Sequence, residues 1–344
     1  MILKENIQQH LDWADFARVA SMFGVILIHS CGAFFYLYGA IPIGDWLSAN
    51  FLDSLMRCTV PLFVMLSGAL LLKPSAQLVN PFKLAQRISK VLFPLIVWSF
   101  IYLLHVSRHS EVPINWLSIL KQPAMYHLWF VYMIIGIYIF IPVFQAIFEA
   151  IRTKRNFQLY LLGIWLVITC LPVYWPLPIL TLWQQNSFFG YGGYFLIGAV
   201  IANSPKDRIP TGIWILIFVI SVLVTFGLTW RFSEQAKAPI EKAYLYFSLN
   251  VFVSAIAAFV LFKRVQLPKY FTKSLQWVSD RSFLIYFVHV LVLEFVRYSH
   301  LISVLSQHVP VFLTILFISI ATFIMSLIVA ALIRLIPGSR RVFG

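Results

Sequence analysis

Two ionisable residues of one apolar segment, Arg18 and His29, have the types and the spacing needed for chemistry. Imidazole is a common general base near neutral pH, whereas a guanidinium group binds anions. Eleven residues return a helix to nearly the same face after a rise of about 16 Å. The spacing therefore predicts a base and an anion-binding group on one line. The alternative is structural: an Arg at the end of a helix that reaches toward the membrane interface, and a buried His whose hydrogen bonds are made within the protein.

Three other cations are candidates for binding. Arg87 and Lys90 are three residues apart, so one helix face carries both, and together they suit a phosphate-bearing cytosolic ligand. Both also fit a plain topology signal. Arg57 lies just before Pro61, which bends a helix and frees a backbone carbonyl. Arg57 is a candidate for binding an anionic or sugar group, and an ion pair with Asp53, one turn away, is the alternative.

Five more polar residues within or beside the apolar segments are candidates for an acceptor site or for stabilising an oxyanion: Ser67, His127, Trp129, Tyr132 and His289. Ionisable groups are costly inside a membrane, so each is a functional candidate by default. Trp129 also fits the aromatic belt at a membrane interface. The two histidines fall in different segments, and the sequence does not tell whether they meet.

The composition sets the class of protein that must hold these residues. Of the 344 residues, 61% are hydrophobic and 11% are charged, which excludes a soluble enzyme. The three cysteines are scattered, which argues against a disulfide scaffold and a zinc or redox motif. The formal net charge is +14, but the basic residues lie between apolar blocks, where membrane topology puts them. Nucleic-acid binding is therefore not expected.

The apolar blocks predict an all-α, polytopic integral membrane protein with about ten transmembrane helices in a single domain over 1–344, its bundle covering about 12–336. The predicted spans are 17–38, 51–72, 88–106, 127–148, 157–174, 187–203, 212–230, 244–262, 279–298 and 310–336. Alternate connections are rich in Lys and Arg, so the positive-inside rule predicts that both termini are cytoplasmic.

Four motifs in this order resemble those of the acyltransferase-3 family of integral membrane acyltransferases. They are R-x10-H at Arg18 to His29, V-P-L-F-x-x-x-S-G at 60–68, R-x-x-K at 87–90 in place of R-x-x-R, and Y-H-L-W-F at 126–130. Within the family, the chain resembles the bacterial surface-polysaccharide O-acetyltransferases, among them the type that acetylates enterobacterial common antigen. The resemblance covers roughly residues 12–335.

The resemblance implies an activity and roles for the matching residues. The activity is transfer of an acetyl group from cytosolic acetyl-CoA to a hydroxyl of a cell-surface glycan, such as an exopolysaccharide of a biofilm, an antigen or a lipid-linked sugar. His29 would be catalytic, and Arg18, Arg87 and Lys90 would bind the donor. Lys90 keeps the charge but not the planar fork of an arginine. A bacterial inner-membrane location, contact with polysaccharide-synthesis machinery, and no metal or tightly bound cofactor are implied as well.

The chemistry of the residues agrees with this reaction. A sugar hydroxyl needs a base, which His29 would supply, and the oxyanion needs a donor or a cation in a dry site. Arg57, Tyr132 and Ser67 are candidates for that second role. A carboxylate often orients such a histidine; Asp45, Asp53 and Glu294 are candidates, and Asp45 is the preferred one.

Two other classes of function stay open. A secondary transporter or flippase for a polysaccharide precursor also has many helices, buried ionisable groups and breaks at Pro or Gly, although no paired repeat halves are present. A non-catalytic assembly protein of polysaccharide export would not need His29. Binding of acetyl-CoA separates both from a transferase.

Overall fold

The computed structural model describes residues 12–74, 77–110, 115–176, 187–205, 208–299 and 308–344. Every regular element in these ranges is helical. The α-helices are α1 Asp12–Phe35, α2 Ile43–Met56, α3 Thr59–Leu71, α4 Pro81–Ser110, α5 Trp129–Ile139, α6 Ile141–Ile151, α7 Arg155–Thr169, α8 Leu171–Tyr174, α9 Ser187–Asn203, α10 Thr211–Ala236, α11 Leu249–Arg264, α12 Lys269–Ser279, α13 Ser282–Arg297, α14 Val311–Ile333 and α15 Ser339–Val342. Short 3-10 turns cover Trp116–Leu120, Tyr126–Leu128 and Lys242–Tyr244.

Many of these helices are long and apolar enough to cross a membrane, so the chain is a multi-pass membrane protein. Among the described residues, 7 spans qualify by length and composition, or up to 8 if the bent pair Tyr126–Ile139 and Ile141–Ile151 is one span. Each of the ten predicted segments holds a helix. Helices α9 and α13 have only 17 and 16 residues, however, so a count of ten spans stays a prediction.

The second span breaks where Arg57 lies. Helix α2 ends at Met56 and α3 begins at Thr59, so Arg57 and Cys58 form a turn between two helices of one apolar stretch. Pro61 falls in the first turn of α3, where its missing N–H removes no hydrogen bond within α3. The break therefore precedes the proline, and it carries Arg57 at the junction of α2 and α3.

Glycines allow α3 and α9 to pack with their backbones in contact. A Cβ atom on Gly68 would lie 1.8 Å from the carbonyl oxygen of Phe195, and one on Gly198 would lie 2.1 Å from that of Met65. Small residues permit this close approach between membrane helices. The contact fixes α3, which begins next to Arg57, against α9.

Polar contacts join several helix termini at one end of the bundle, here called the basic end. Ser279, at the end of α12, donates to Asp15 of α1 over 2.6 Å, and Arg18 donates to the Ser279 hydroxyl over 2.8 Å. Arg334, after α14, donates to the carbonyl of Asp280 over 3.2 Å. The start of α1, the end of α12 and the end of α14 therefore share this end.

Candidate active site

Three imidazole rings from three distant parts of the chain meet inside the bundle. His29 of α1 stacks on His289 of α13 with ring centroids 5.4 Å apart and an interplanar angle of 24°. His127, in the turn before α5, meets the ring of His289 edge to face at 5.0 Å. We call His29, His127 and His289 the histidine cluster. Sequence analysis gave these residues separately, and the structure brings them together.

Hydrogen bonds fix one ring of the cluster and leave others without partners. Nδ1 of His289 lies 2.5 Å from the carbonyl oxygen of Tyr286, so this nitrogen carries the proton and Nε2 holds a lone pair. Nε2 of His289 and both ring nitrogens of His127 are buried without a hydrogen-bond partner in the described part of the chain. Buried polar groups are usually paired, so these three atoms need an explanation.

The histidine cluster is not arranged as a metal site. Within the residues that the structure describes, no group of three His, Cys, Asp or Glu side chains could hold a metal ion. The stacked arrangement of His29 on His289 also differs from ligands that converge on one point. The arrangement instead suits acid–base chemistry and hydrogen bonding.

Tyrosines surround the histidine cluster and hold its backbone. The hydroxyl of Tyr286 donates to the carbonyl oxygen of His127, and that of Tyr102 donates to the carbonyl oxygen of Phe287 over 2.6 Å. Tyr126 packs edge to face on His29, with ring centroids 5.0 Å apart. The Tyr126 side chain is 53% exposed. Tyr126 therefore covers one edge of His29 while about half of its own surface stays exposed.

A buried ion pair lies close to His29. Nε and NH2 of Arg57 lie 2.6 and 2.8 Å from the two carboxylate oxygens of Asp53. The guanidinium group also lies 4.0 Å from the ring centroid of Tyr244 and 3.7 Å from Glu241. Arg57 and Arg297 both interact electrostatically with His29. Arg57 thus keeps its charge at the cluster by pairing with Asp53.

Just beyond the end of α1, Tyr36 connects to the same group of charges. Its hydroxyl donates to Glu241 over 2.7 Å. Partial burial and this hydrogen bond raise the pKa of Tyr36 to about 12. The hydroxyl therefore stays protonated and acts as a donor at physiological pH.

Aromatic rings extend from Arg57 to Trp129. Tyr246 interacts electrostatically with Arg57, and Trp129 stacks on Tyr246 with ring centroids 5.9 Å apart and an angle of 26°. Trp129 also contacts Tyr191 at 5.6 Å. We call Trp129, Tyr191 and Tyr246 the aromatic group. Trp129 is only partly exposed and packs on the core, which favours a place in the site over the interfacial belt.

At the basic end, Arg18 is held in a fixed position. It donates to Asp15 over 3.1 Å and to Ser279 over 2.8 Å. Tyr138 of α5 lies against Ser67 and interacts electrostatically with both Arg18 and Arg87. Arg18 and Arg87, which are far apart in the sequence, therefore both lie within electrostatic range of Tyr138.

A cavity of about 510 Å³ opens between the end of α3 and the start of α4. Lys73, Lys83 and Arg87 line it, with Asn80 and Gln145 as neutral hydrogen-bonding groups. We call this the cationic cavity. Three cations around one cavity favour an anionic ligand with several charges.

The model of a family described as an acyltransferase domain, acyltransferase-3, matches residues 11–333. The chain belongs to the acyltransferase-3 family. No curated protein and no solved structure is significantly similar to it. The resemblance of the four motifs to this family is thereby confirmed, and the chain is a membrane acyltransferase by family.

The predicted donor-site residues of this acyltransferase separate in the structure. Arg87 lines the cationic cavity, whereas Arg18 is not one of its lining residues and interacts electrostatically with Tyr138. Lys90 is exposed and is not among the residues that line the cavity. It shares a helix face with Arg87 but lies about one turn farther along α4, beyond the residues that line the cavity. A direct contact of Lys90 with the donor stays a prediction.

The three candidate carboxylates do not meet His29 through any contact of the described residues. Asp45 lies in the first turn of α2 and is partly exposed. Asp53 pairs with Arg57, and Glu294 lies 2.7 Å from His105. Of the three, only Asp45 is without another charged partner among the described residues, and its role in orienting His29 stays a prediction.

Two other candidates already have hydrogen-bond partners. Tyr132 donates to the carbonyl of Ile119 over 2.9 Å, and Ser67 donates to that of Phe63 over 3.0 Å. Both hydroxyls therefore donate to backbone carbonyls in this structure, and a role for either at an oxyanion stays a prediction.

Three residues near this candidate site are not singled out by the sequence: Lys73, Lys83 and Tyr138. The two lysines fit a plain topology signal in the sequence. Lys83 and Arg87 are four residues apart, so their shared helix face was a usable signal. Tyr138 carried no such signal, because only the packing of α5 against the other helices brings it to Arg18 and Arg87.

Proposed function

We propose that this acyltransferase transfers an acetyl group from cytosolic acetyl-CoA to a hydroxyl of a cell-surface glycan, with His29 as the general base. The observation that carries the proposal is the line from Arg18 to His29 on the unbroken helix α1. It joins a cationic group at one end of the bundle to a histidine deep inside it. A donor that is charged at one end and reactive at the other fits this line.

The cationic cavity supports a donor with several phosphate groups. Lys73, Lys83 and Arg87 supply three positive charges around about 510 Å³. Charge-assisted hydrogen bonds to phosphate are among the stronger polar contacts in proteins. The nucleotide part of acetyl-CoA carries its phosphates at one end, so we assign it to this cavity. Arg18 then lies farther along the donor, toward its reactive end.

The length of the line also suits the donor. Eleven residues of α1 separate Arg18 from His29, which corresponds to a rise of about 16 Å. The pantetheine arm between the phosphates and the thioester is long and thin, and it is able to pass between helices. The thioester would then meet the histidine cluster while the phosphates stay at the basic end.

The opposite side of the histidine cluster supports a sugar acceptor. Arg57 interacts with His29, and the aromatic group adjoins Arg57 through Tyr246. Aromatic faces with hydrogen-bonding edges suit the apolar and polar faces of a sugar ring. We therefore assign the acceptor to this side, with Arg57 and Trp129 in contact with it.

The reaction needs little besides these groups. His29 removes the proton of the acceptor hydroxyl while the oxygen attacks the thioester carbonyl carbon. The carbon–sulfur bond then breaks, and the leaving thiolate of CoA takes the proton from His29. The thioester is already activated, so the transfer consumes no further reactant.

The test uses the purified full chain in nanodiscs. Acetyl-CoA binding and release of free CoA are measured for wild type, His29→Gln, Arg87→Gln and the exposed control Lys269→Gln. We expect His29→Gln to bind acetyl-CoA normally and to lose CoA release. Arg87→Gln should weaken binding about 10-fold or more, because a hydrogen bond to a charged group is lost. Lys269→Gln should change neither quantity.

Two results would count against the proposal. Full CoA release by His29→Gln would remove the histidine from its assigned role. A wild-type protein that is folded and does not bind acetyl-CoA would exclude the donor, and the transporter alternative would then take first place.

A further inference from the structure

We infer that His127 is a second catalytic residue, whose ring N–H donates a hydrogen bond to the oxyanion formed on the acetyl carbonyl. The inference rests on the proposed function, because it needs a thioester beside His29. It starts from the unusual state of His127 in the histidine cluster. The side chain is 2% exposed, and neither ring nitrogen has a partner in the described part of the chain.

A neutral imidazole always carries one N–H donor and one lone pair. Burial of such a donor without a partner costs about 1–3 kcal/mol, so a purely structural position would favour an apolar ring of the same size. The cost is recovered if a ligand atom accepts the hydrogen bond. An unpartnered donor held in place in a dry site is what stabilises a negative charge during a reaction.

The tyrosines and arginines near His127 are each held by at least one polar contact. The hydroxyls of Tyr286 and Tyr102 donate to the carbonyls of His127 and Phe287. Arg297 donates to the carbonyl oxygen of His29 over 2.8 Å. Arg57 pairs with Asp53 and also faces Glu241. Nε of Arg57 and Nε of Arg297 have no hydrogen-bond partner among the described residues, but each arginine is held by another polar contact. The imidazole ring of His127 has no such contact through either of its nitrogens within the described ranges.

His289 has the opposite character and does not compete for this role. Its Nδ1 proton is held by the carbonyl of Tyr286, so its Nε2 is only able to accept. Packing against His289 on one side and Tyr102 on the other, with ring centroids 5.0 Å away in both cases, fixes the His127 ring. The donor is thus held in place before the substrate arrives.

The step is the same whether a sugar hydroxyl or water is the acceptor. The acceptor oxygen forms a bond to the carbonyl carbon, and its proton moves to His29. The electron pair of the C=O double bond moves onto the carbonyl oxygen, which accepts the hydrogen bond from His127. When the C=O double bond forms again, the C–S bond breaks and the thiolate takes the proton from His29.

The test compares His127→Phe, which keeps the shape of the ring and removes the donor, with His127→Gln, which keeps an N–H donor. Hydrolysis of acetyl-CoA by water is measured through the release of free CoA, so the assay does not require a known sugar acceptor. We expect His127→Phe to lower kcat by about 10²–10³-fold with an unchanged Kd for acetyl-CoA. His127→Gln should recover at least 10-fold of that loss. The exposed His308→Phe serves as the control and should match wild type.

Thermal unfolding separates a catalytic from a structural role. Replacement of an unpaired buried polar ring by an apolar ring should leave the unfolding temperature of His127→Phe unchanged or raise it. A His127→Phe protein with normal kcat would overturn the inference while leaving the role of His29 intact. A variant that unfolds earlier or is not recovered folded would overturn it too, because the ring would then be making stabilising contacts. Loss of CoA release in His29→Gln alone would support the proposed function without this step.

Discussion

Arg57 and Asp53 form a buried ion pair, in which each charge offsets the cost of burying the other. The Asp53 side chain is 2% exposed and the Arg57 side chain 11%. A buried carboxylate without its cation pays a large desolvation penalty. The pair therefore explains how an arginine stays inside an apolar stretch at the break between α2 and α3.

Replacement of Arg57 by Leu should destabilise the protein by about 3–5 kcal/mol, because Asp53 is left buried and unpaired. The double variant Asp53→Leu/Arg57→Leu should recover much of that loss, since no charge is then left alone. Apparent unfolding temperatures in detergent, followed by tryptophan fluorescence, check both variants. Equal unfolding temperatures for Arg57→Leu and wild type would contradict the ion pair as a stabilising contact.

At the same scale, sequence reasoning found the cluster's members but not the cluster. His29, His127 and His289 were each recognised because an ionisable group inside an apolar segment is costly. Their meeting depends on how α1, α5 and α13 pack, and no local spacing contains that information. The Arg57–Asp53 pair, in contrast, was weighed correctly as an alternative because its spacing of one helix turn is local.

The contact between α3 and α9 makes a prediction about whole helices. A Cβ atom on Gly68 would overlap the Phe195 carbonyl oxygen at 1.8 Å, and because that oxygen belongs to the backbone, no side-chain rotation relieves the overlap. Gly68→Ala should therefore push the helices apart and lower both the unfolding temperature and CoA release. The measurement is unfolding in nanodiscs together with the acetyl-CoA assay.

Gly227→Ala in α10 is the matched control. A Cβ atom on Gly227 would meet nothing within 4 Å, and the residue lies well inside a helix. Alanine there should leave stability unchanged or raise it by up to about 1 kcal/mol, because glycine is the poorer helix former. If Gly68→Ala behaved like Gly227→Ala, the close packing of α3 on α9 would be contradicted.

Element positions were predictable where hydrophobicity alone decides them. All ten apolar segments hold helices, because apolar blocks of this length satisfy their backbone hydrogen bonds only internally. Breaks and short elements were less predictable. The chain bends by 64° between Ile139 and Ile141, and the 11-residue helix α12 falls in what the sequence presented as a basic connection. Helix α12 is too short and too polar to be recognised as a membrane span, so a search for apolar blocks of span length does not detect it.

At the scale of the whole molecule, the proposal depends on which end of the bundle faces the cytosol. Arg18, Arg87 and the cationic cavity share the basic end, whereas helix α13 runs from that end toward Tyr298. Acetyl-CoA is available only in the cytosol. The positive-inside rule predicts that the basic end is cytoplasmic, in agreement with the need for this donor.

Two tyrosines allow a direct measurement of that orientation. Tyr270 of α12 is 85% exposed near the basic end, and Tyr298, after α13, is 84% exposed toward the opposite end. The natural cysteines Cys31, Cys58 and Cys170 are buried, so they should add little background. In intact cells, a membrane-impermeant thiol reagent should label Tyr298→Cys and not Tyr270→Cys, and lysis should make both reactive.

Labelling of Tyr270→Cys in intact cells would put the cationic cavity on the side without acetyl-CoA. The assignment of acetyl-CoA to this cavity would then fail even if His29 remained essential, because the phosphates of cytosolic acetyl-CoA could not reach Arg87.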